Sequence, residues 1–288
     1  MNRLPNFVII GAMKSATSTL YEQLSRQPGI FMPRLKEPNF FSNDEQYSQG
    51  IDWYAGLFKE AGTSDILGEA STHYTKLPTY PETVPRMHQW LNQPRLVYVM
   101  RDPVDRLVSQ YVHQWSEGEI HCGLNEAITD HPELIAYSYY ARQLTPFIQT
   151  FGQTNILPVF FDRLTKSPQS ELERVCRFVG YQGDVKWHDG RSRDNVSSQR
   201  VRKFPLYNLM VENPVATALR RSLVPKGMRT KIRQMLSMTE RPMLAENTGT
   251  KLKELFDEDL EILGRWLGVS LNCRNFRAVT AAQSLDWI

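Results

Sequence analysis

Lys14 stands among four short hydroxyl side chains, directly behind a β-branched apolar run: Phe7-Val8-Ile9-Ile10-Gly11-Ala12-Met13-Lys14-Ser15-Ala16-Thr17-Ser18-Thr19-Leu20. An ammonium beside Ser15, Thr17, Ser18 and Thr19 can grip the oxygens of an anion. If the run is a strand and the hydroxyls open a helix, the free N–H groups of that helix start point into the same turn and attract phosphate. Ala16 joins this group through its backbone. The loop lacks the second glycine of an ATP-binding GxxxxGK[ST] motif, because Met13 precedes the lysine. A second segment offers a second anion site: Arg95-Leu96-Val97-Tyr98-Val99-Met100-Arg101-Asp102-Pro103, followed by Val104-Asp105-Arg106-Leu107-Val108-Ser109. Here a guanidinium at a strand end and a hydroxyl about two helical turns later can hold another phosphate. The bland alternatives are a hydroxyl-rich helix cap and a surface lysine.

The elements that must position these groups alternate between strand and helix. Strands are expected at 7–10, 65–70, 96–100 and 155–161, where apolar runs are short and bounded by Gly, Pro or charged residues. Helices are expected at 18–27, 85–91, 137–151 and 168–179, the last ending at Gly180. Leu252, Leu255, Phe256, Leu260, Leu263, Trp266 and Leu267 fall at helical spacing over 250–268, which reads as a packing helix. The pattern predicts an α/β fold: a P-loop-like open parallel sheet flanked by helices, with ligands at the carboxyl ends of the strands. One domain over 1–288 is expected, with a mobile helical cap over 210–246.

At the two phosphate segments the chain resembles the sulfotransferases that use 3′-phosphoadenosine 5′-phosphosulfate (PAPS). Lys14 and its hydroxyl neighbours are similar to that family's 5′-phosphosulfate loop, and Arg101 with Ser109 to its 3′-phosphate motif. Lys36-Glu37-Pro38-Asn39-Phe40-Phe41-Ser42 looks like the KE-x-x-FF segment of the glycosaminoglycan sulfotransferases and their bacterial relatives. Ser138-Tyr139-Tyr140-Ala141-Arg142-Gln143-Leu144 is similar to the family's G-x-Y-x-x-x-L stretch, with Ser138 in place of the glycine. The stretch 191–203 resembles the N-V-S segment of bacterial sulfotransferases and is expected to close over the adenosine with Ser197 and Arg200. The resemblance runs from about residue 5 to about residue 268.

It implies PAPS as donor, 3′-phosphoadenosine 5′-phosphate (PAP) as product and no metal. It also implies Lys14 at the leaving oxygen, Tyr140 at the nucleotide and Glu37 as general base. Burial of Glu37 beside Phe40 and Phe41 would make it more basic, with Lys36 opposing. His73, in Gly68-Glu69-Ala70-Ser71-Thr72-His73-Tyr74, is the rival base, because the small-molecule branch uses histidine for this step. The glycan branch has a lysine near Ala70 or Ser71, so that second cation is missing here.

Composition narrows the partners. A net charge of +3 does not argue for nucleic acid, although 186–233 carries twelve Lys or Arg against three Asp or Glu. No apolar run is long enough to span a membrane, and with only Met1-Asn2-Arg3-Leu4-Pro5 ahead of the first strand no signal peptide is expected. Three widely spaced cysteines suit reduced thiols in a cytoplasm. The acceptor is expected to be a carbohydrate or a small polar metabolite; Tyr47, Trp53, Tyr54, Trp90 and Trp115 are either an aromatic platform for it or core. Two other functions fit part of the pattern. An ATP-dependent kinase or NTPase would share the loop but needs an acidic strand end for Mg²⁺, where this chain has Arg101. A non-catalytic protein binding a nucleotide or polyanion would need no base.

Overall fold

The computed structural model describes residues 3–189 and 241–288. Five strands form one parallel sheet: β1 (Phe7–Gly11), β2 (Ile30–Phe31), β3 (Ile66–Ala70), β4 (Arg95–Met100) and β5 (Ile156–Phe160), in the order β2-β3-β1-β4-β5. Chain order therefore turns about β1, with β3 on one side and β4 on the other. In an open parallel sheet this is where a crevice opens beyond the strand ends.

The helices among the described residues are α1 (Thr17–Ser25), α2 (Asp44–Tyr47), α3 (Ile51–Gly56), α4 (Thr83–Trp90), α5 (Pro103–Glu117), α6 (Leu124–Asp130), α7 (Glu133–Ala136), α8 (Tyr140–Phe151), α9 (Phe161–Lys166), α10 (Pro168–Phe178), α11 (Glu246–Trp266) and α12 (Phe276–Ala282). The four expected strands and the long helices form within a few residues of their expected bounds. The helix expected over 137–151 is α8, which starts three residues later, after a turn that separates it from α7.

Both sheet faces are covered, as a buried parallel sheet requires. Val8 and Ile10 of β1 face a core shared with Phe40, Phe41, Tyr54, Tyr98 and Phe276. Phe7 and Ile9 face the opposite layer with Leu20, Leu24, Val97 and Val175, following the two-residue alternation of a strand. Gly68 makes the β1–β3 approach possible: a Cβ there would lie 2.1 Å from the Phe7 ring and 2.5 Å from the Met32 sulfur. Pro158 is tolerated within β5 because, among the described residues, that strand is an edge and pairs only with β4.

The chain divides into two compact units, one of 1–107, 133–190 and 250–288, the other of 108–132 and 191–249. The first holds the sheet. In the second, Tyr111 donates to the Cys122 carbonyl at 2.9 Å, and the Ala245 N–H donates to the Asn125 side chain at 2.9 Å. Among the described residues no helix is long and apolar enough to cross a membrane. Most of the expected cap at 210–246, with Ser197 and Arg200, lies outside the described residues.

Candidate active site

The loop after β1 is anchored at both ends. The Ala12 N–H donates to the Val99 carbonyl at 2.7 Å, and the Ser15 N–H donates back to the Ala12 carbonyl at 3.2 Å. Lys14 (φ 69°) and Ala16 (φ 70°) adopt the left-handed backbone that glycine usually supplies in such loops. Ala16 is the N-cap of α1, whose first turn carries no side-chain cap and no acidic residue. The N–H groups of Thr17, Ser18 and Thr19 therefore head a helix pole that its own turn does not neutralise. The Ser15 hydroxyl is buried and finds no hydrogen-bond partner among the described residues. Buried hydroxyls are ordinarily satisfied, so a hydroxyl donor and a helix pole on one loop fit an anionic oxygen.

Arg101, at the end of β4, meets this loop. Its Nη1 donates to the Lys14 carbonyl at 3.4 Å, its guanidinium lies 4.6 Å from the centre of the Phe161 ring, and Nη2 is 3.7 Å from Asp105. Its main chain is clamped by Tyr140, which accepts from the Arg101 N–H at 3.2 Å and donates to the Arg101 carbonyl. Tyr140 has no exposed surface, and burial raises its phenol far above the usual range. The structure thus uses its hydroxyl to hold Arg101, not to reach outward. Asp102 caps α5 by accepting the Asp105 N–H at 2.9 Å, and Arg277 of α12 pairs with Asp102 at 3.6 Å and Asp105 at 2.5 Å. Ser109 is buried on α5, within the second unit.

The loop carrying Glu37 is fastened to the end of β3. The Glu37 N–H donates to the Ala70 carbonyl at 3.0 Å. Glu37 Oε2 accepts from the Thr72 N–H at 2.6 Å and the Thr72 hydroxyl at 3.1 Å, and Oε1 accepts from Lys36 at 2.6 Å. Glu37 and Asn39 both have left-handed backbone, at φ 58° and 52°. The expected burial of this carboxylate beside Phe40 and Phe41 does not occur. Both rings turn into the core, Phe40 stacking on Tyr54 at 4.6 Å, while the Glu37 side chain keeps 28% of its surface exposed. Tyr54 is core, with Tyr47 and Trp53 packed against the same cluster, so those three form no open platform.

His73 belongs to the same neighbourhood. It lies in the turn Thr72–Thr75 that holds Glu37 and stacks on Tyr80 at 5.0 Å with 15° between planes. Burial, then the Lys76 charge, pushes its imidazole down to about 4, with Glu37 opposing. It is therefore neutral near pH 7. The two rival bases lie at the end of β3, one strand from the Lys14 loop.

Residue chemistry also missed one group here. Glu69, inside β3, has no exposed surface; its carboxylate accepts from Ser71 at 2.5 Å and Tyr54 at 3.2 Å. The signal was present in Ile66-Leu67-Gly68-Glu69-Ala70, a carboxylate within an otherwise apolar buried strand.

Comparison with known proteins places the chain in a family. A family model described as a sulfotransferase domain matches residues 4–270. The membrane-associated sulfotransferase kil1 of Dictyostelium discoideum is 38% identical over 111 residues, covering 38% of this chain and 22% of its own. Heparan sulfate glucosamine 3-O-sulfotransferase 5 of Mus musculus is 27% identical over 192 residues, covering 62% of this chain and 54% of its own. The chain thus spans between about a fifth and about half of these relatives. A sulfotransferase from Alicyclobacillus acidocaldarius superimposes with a TM-score of 0.66 at 22% identity, over 93% of this chain and 98% of that one. Mouse sulfotransferase SULT7A1, solved with PAP, gives 0.50 at 14% identity, over 90% and 84%. At these identities the likeness to solved structures is one of fold. With the family model running over nearly all of a parallel sheet whose strand ends carry the Lys14 loop and Arg101, this chain belongs to the sulfotransferase domain family.

Proposed function

We propose that this protein transfers the sulfuryl group of PAPS to a hydroxyl or amine of a carbohydrate or small polar metabolite. The observation that carries the reading is the 3.4 Å contact joining Arg101 to the Lys14 loop. It draws two anion-seeking groups to adjacent strand ends, as a donor with phosphates at both ends requires. When bound, PAPS supplies the sulfuryl group and a phosphate leaving group. Lys14, with Ser15 and the N–H groups of Ala16 to Thr19, holds that phosphate and meets the charge that grows on its leaving oxygen. Arg101 holds the 3′-phosphate, with Ser109 assigned to it on the sequence motif alone. Tyr140 acts through Arg101. Ser197 and Arg200 keep their assignment to the adenosine from sequence.

Glu37 takes the proton of the acceptor. Its two backbone anchors leave the carboxylate partly exposed, which a base must be to reach a substrate. His73, neutral but weakly basic, is the second candidate and is better suited to orienting the acceptor. The name of the glucosamine 3-O-sulfotransferase supports a carbohydrate acceptor. We also infer a cytoplasmic location, supported by the free thiols Cys122, Cys176 and Cys273.

The test is label transfer from ³⁵S-PAPS to a panel of glucosamine-containing oligosaccharides and small hydroxylated metabolites. Transfer that disappears in Lys14→Ala and Glu37→Ala is the expected result. Tight PAP binding with no transfer to any member and no PAP formed from PAPS would sink the enzyme reading and favour a nucleotide-binding protein.

A further inference from the structure

Glu69 is buried where an ion is expensive, and none of the steps above uses it. Its two oxygens reach in different directions. Oε2 accepts from the Tyr54 hydroxyl of α3 at 3.2 Å, and Oε1 accepts from the Ser71 hydroxyl at 2.5 Å. Ser71 Oγ in turn accepts the Asn39 N–H at 3.0 Å. A continuous hydrogen-bonded line therefore runs from the buried carboxylate to the loop that presents Glu37. On either side of Ser71, the Ala70 carbonyl accepts the Glu37 N–H and the Thr72 N–H donates to the Glu37 carboxylate. Three successive residues hold the Glu37 loop, and Glu69 fixes the middle one.

We propose that Glu69 is a positioning residue for Glu37, directing the Ser71 hydroxyl so that it receives the Asn39 amide and locks the loop on the end of β3. The proposal rests on the reading of Glu37 as the base. A hydroxyl is both donor and acceptor, and it offers its lone pair to an amide dependably only when its proton is committed elsewhere. The Glu69 oxygen that accepts the Ser71 hydroxyl at 2.5 Å commits that proton. An apolar residue at 69 would leave the Ser71 rotor free. Four groups face Glu69: Tyr54 from α3, Ser71 and Tyr74 from the end of β3 and the turn beyond it, and Glu37 from the loop. Burial raises its carboxyl to about 7, the hydroxyl partners oppose the rise and the Glu37 charge adds to it.

The test uses the full chain, and its exchange and titration measurements need no known acceptor. Amide exchange at Asn39 is measured in wild type, Glu69→Gln, Glu69→Ala and Ser71→Ala. Exchange about tenfold faster in Ser71→Ala and Glu69→Ala, with Glu69→Gln close to wild type because its amide oxygen still accepts, is the expected pattern. Unchanged Asn39 exchange in Ser71→Ala overturns the proposal, and this variant decides the matter if Glu69→Ala fails to fold. In ¹³C-glutamate-labelled protein the Glu69 carboxyl midpoint near 7 falls in Glu37→Gln; no movement would also overturn it. Finally, Glu69→Ala slows formation of PAP from PAPS without changing PAP affinity, and slows a Glu37→Gln enzyme no further. An equal loss in that background would show that Glu69 does not act through Glu37. If Glu37→Gln alone keeps full turnover, the base assignment fails, while the exchange result still decides the link.

Discussion

At the scale of single residues, the proposed roles put the cation for the leaving group, Lys14, and the base for the acceptor, Glu37, on loops one strand apart. Lys14→Ala is expected to lower kcat on the order of 10² to 10³-fold with the fold intact, measured by PAP formation and circular dichroism. Glu37→Ala should cost roughly 10² to 10⁴-fold, and His73→Ala much less. Full turnover in Glu37→Ala with none in His73→Ala would exchange the two roles. The titrations carry opposite signs. Glu69 has its folded pKa raised from 4.5 to about 7, so its contribution to stability is whole below 4.5 and is lost as pH rises through 7. His73 has its folded value lowered from 6.5 to about 4, so it costs stability as pH falls from 6.5 toward 4. Glu69→Gln should therefore flatten the neutral side of a melting-temperature profile, and His73→Gln the acid side. These couplings were not legible in sequence. Glu37 and His73 are far apart in the chain, and the hydrogen bonds from the Glu37 loop to Ala70, Ser71 and Thr72 bring them together. The sequence motif assigns Tyr140 to the nucleotide, but it does not show that its hydroxyl is committed to the Arg101 main chain.

At the scale of elements, continuous apolar runs made β1, β4 and β5 readable, because strands buried on both faces need no polar alternation. β2, two residues long, has no periodicity to read. α9 begins directly after β5, with no turn residue between Phe160 and Phe161 to announce it. The Lys14 loop depends on Gly11, where β1 ends at φ 152° and a Cβ would fall 2.0 Å from the Thr75 hydroxyl. Thr75 itself donates to the Ile10 carbonyl at 2.8 Å, so the neighbour cannot simply withdraw. Gly11→Ala is expected to destabilise the protein by about 1–3 kcal/mol or more and to weaken PAP binding, read by denaturant melts and calorimetry. Ala16→Gly goes the other way: removing a left-handed non-glycine residue should hold or raise stability and leave PAP affinity in place. A loss of stability in Ala16→Gly would mean that the loop conformation differs from the one described.

At the scale of the whole molecule, the sheet order places β1 between β3 and β4, so the proposed base, the Lys14 loop and Arg101 come from three adjacent strand ends. The order was not legible, since nothing in a strand's composition names its neighbours; the parallel α/β class was, from the alternation of strands and helices. The two-phosphate pattern separates a PAPS site from an ATP site at this scale. The measurement that tests this most directly is thermal unfolding with PAP beside ADP and Mg²⁺. At about a hundred times its dissociation constant a true ligand adds roughly 2.7 kcal/mol, a shift of several degrees for a chain of this size. A shift with PAP alone, lost in Arg101→Ala, is predicted. A shift with ADP and Mg²⁺, unaffected by Arg101→Ala, would contradict the account and put a nucleoside-triphosphate enzyme in its place.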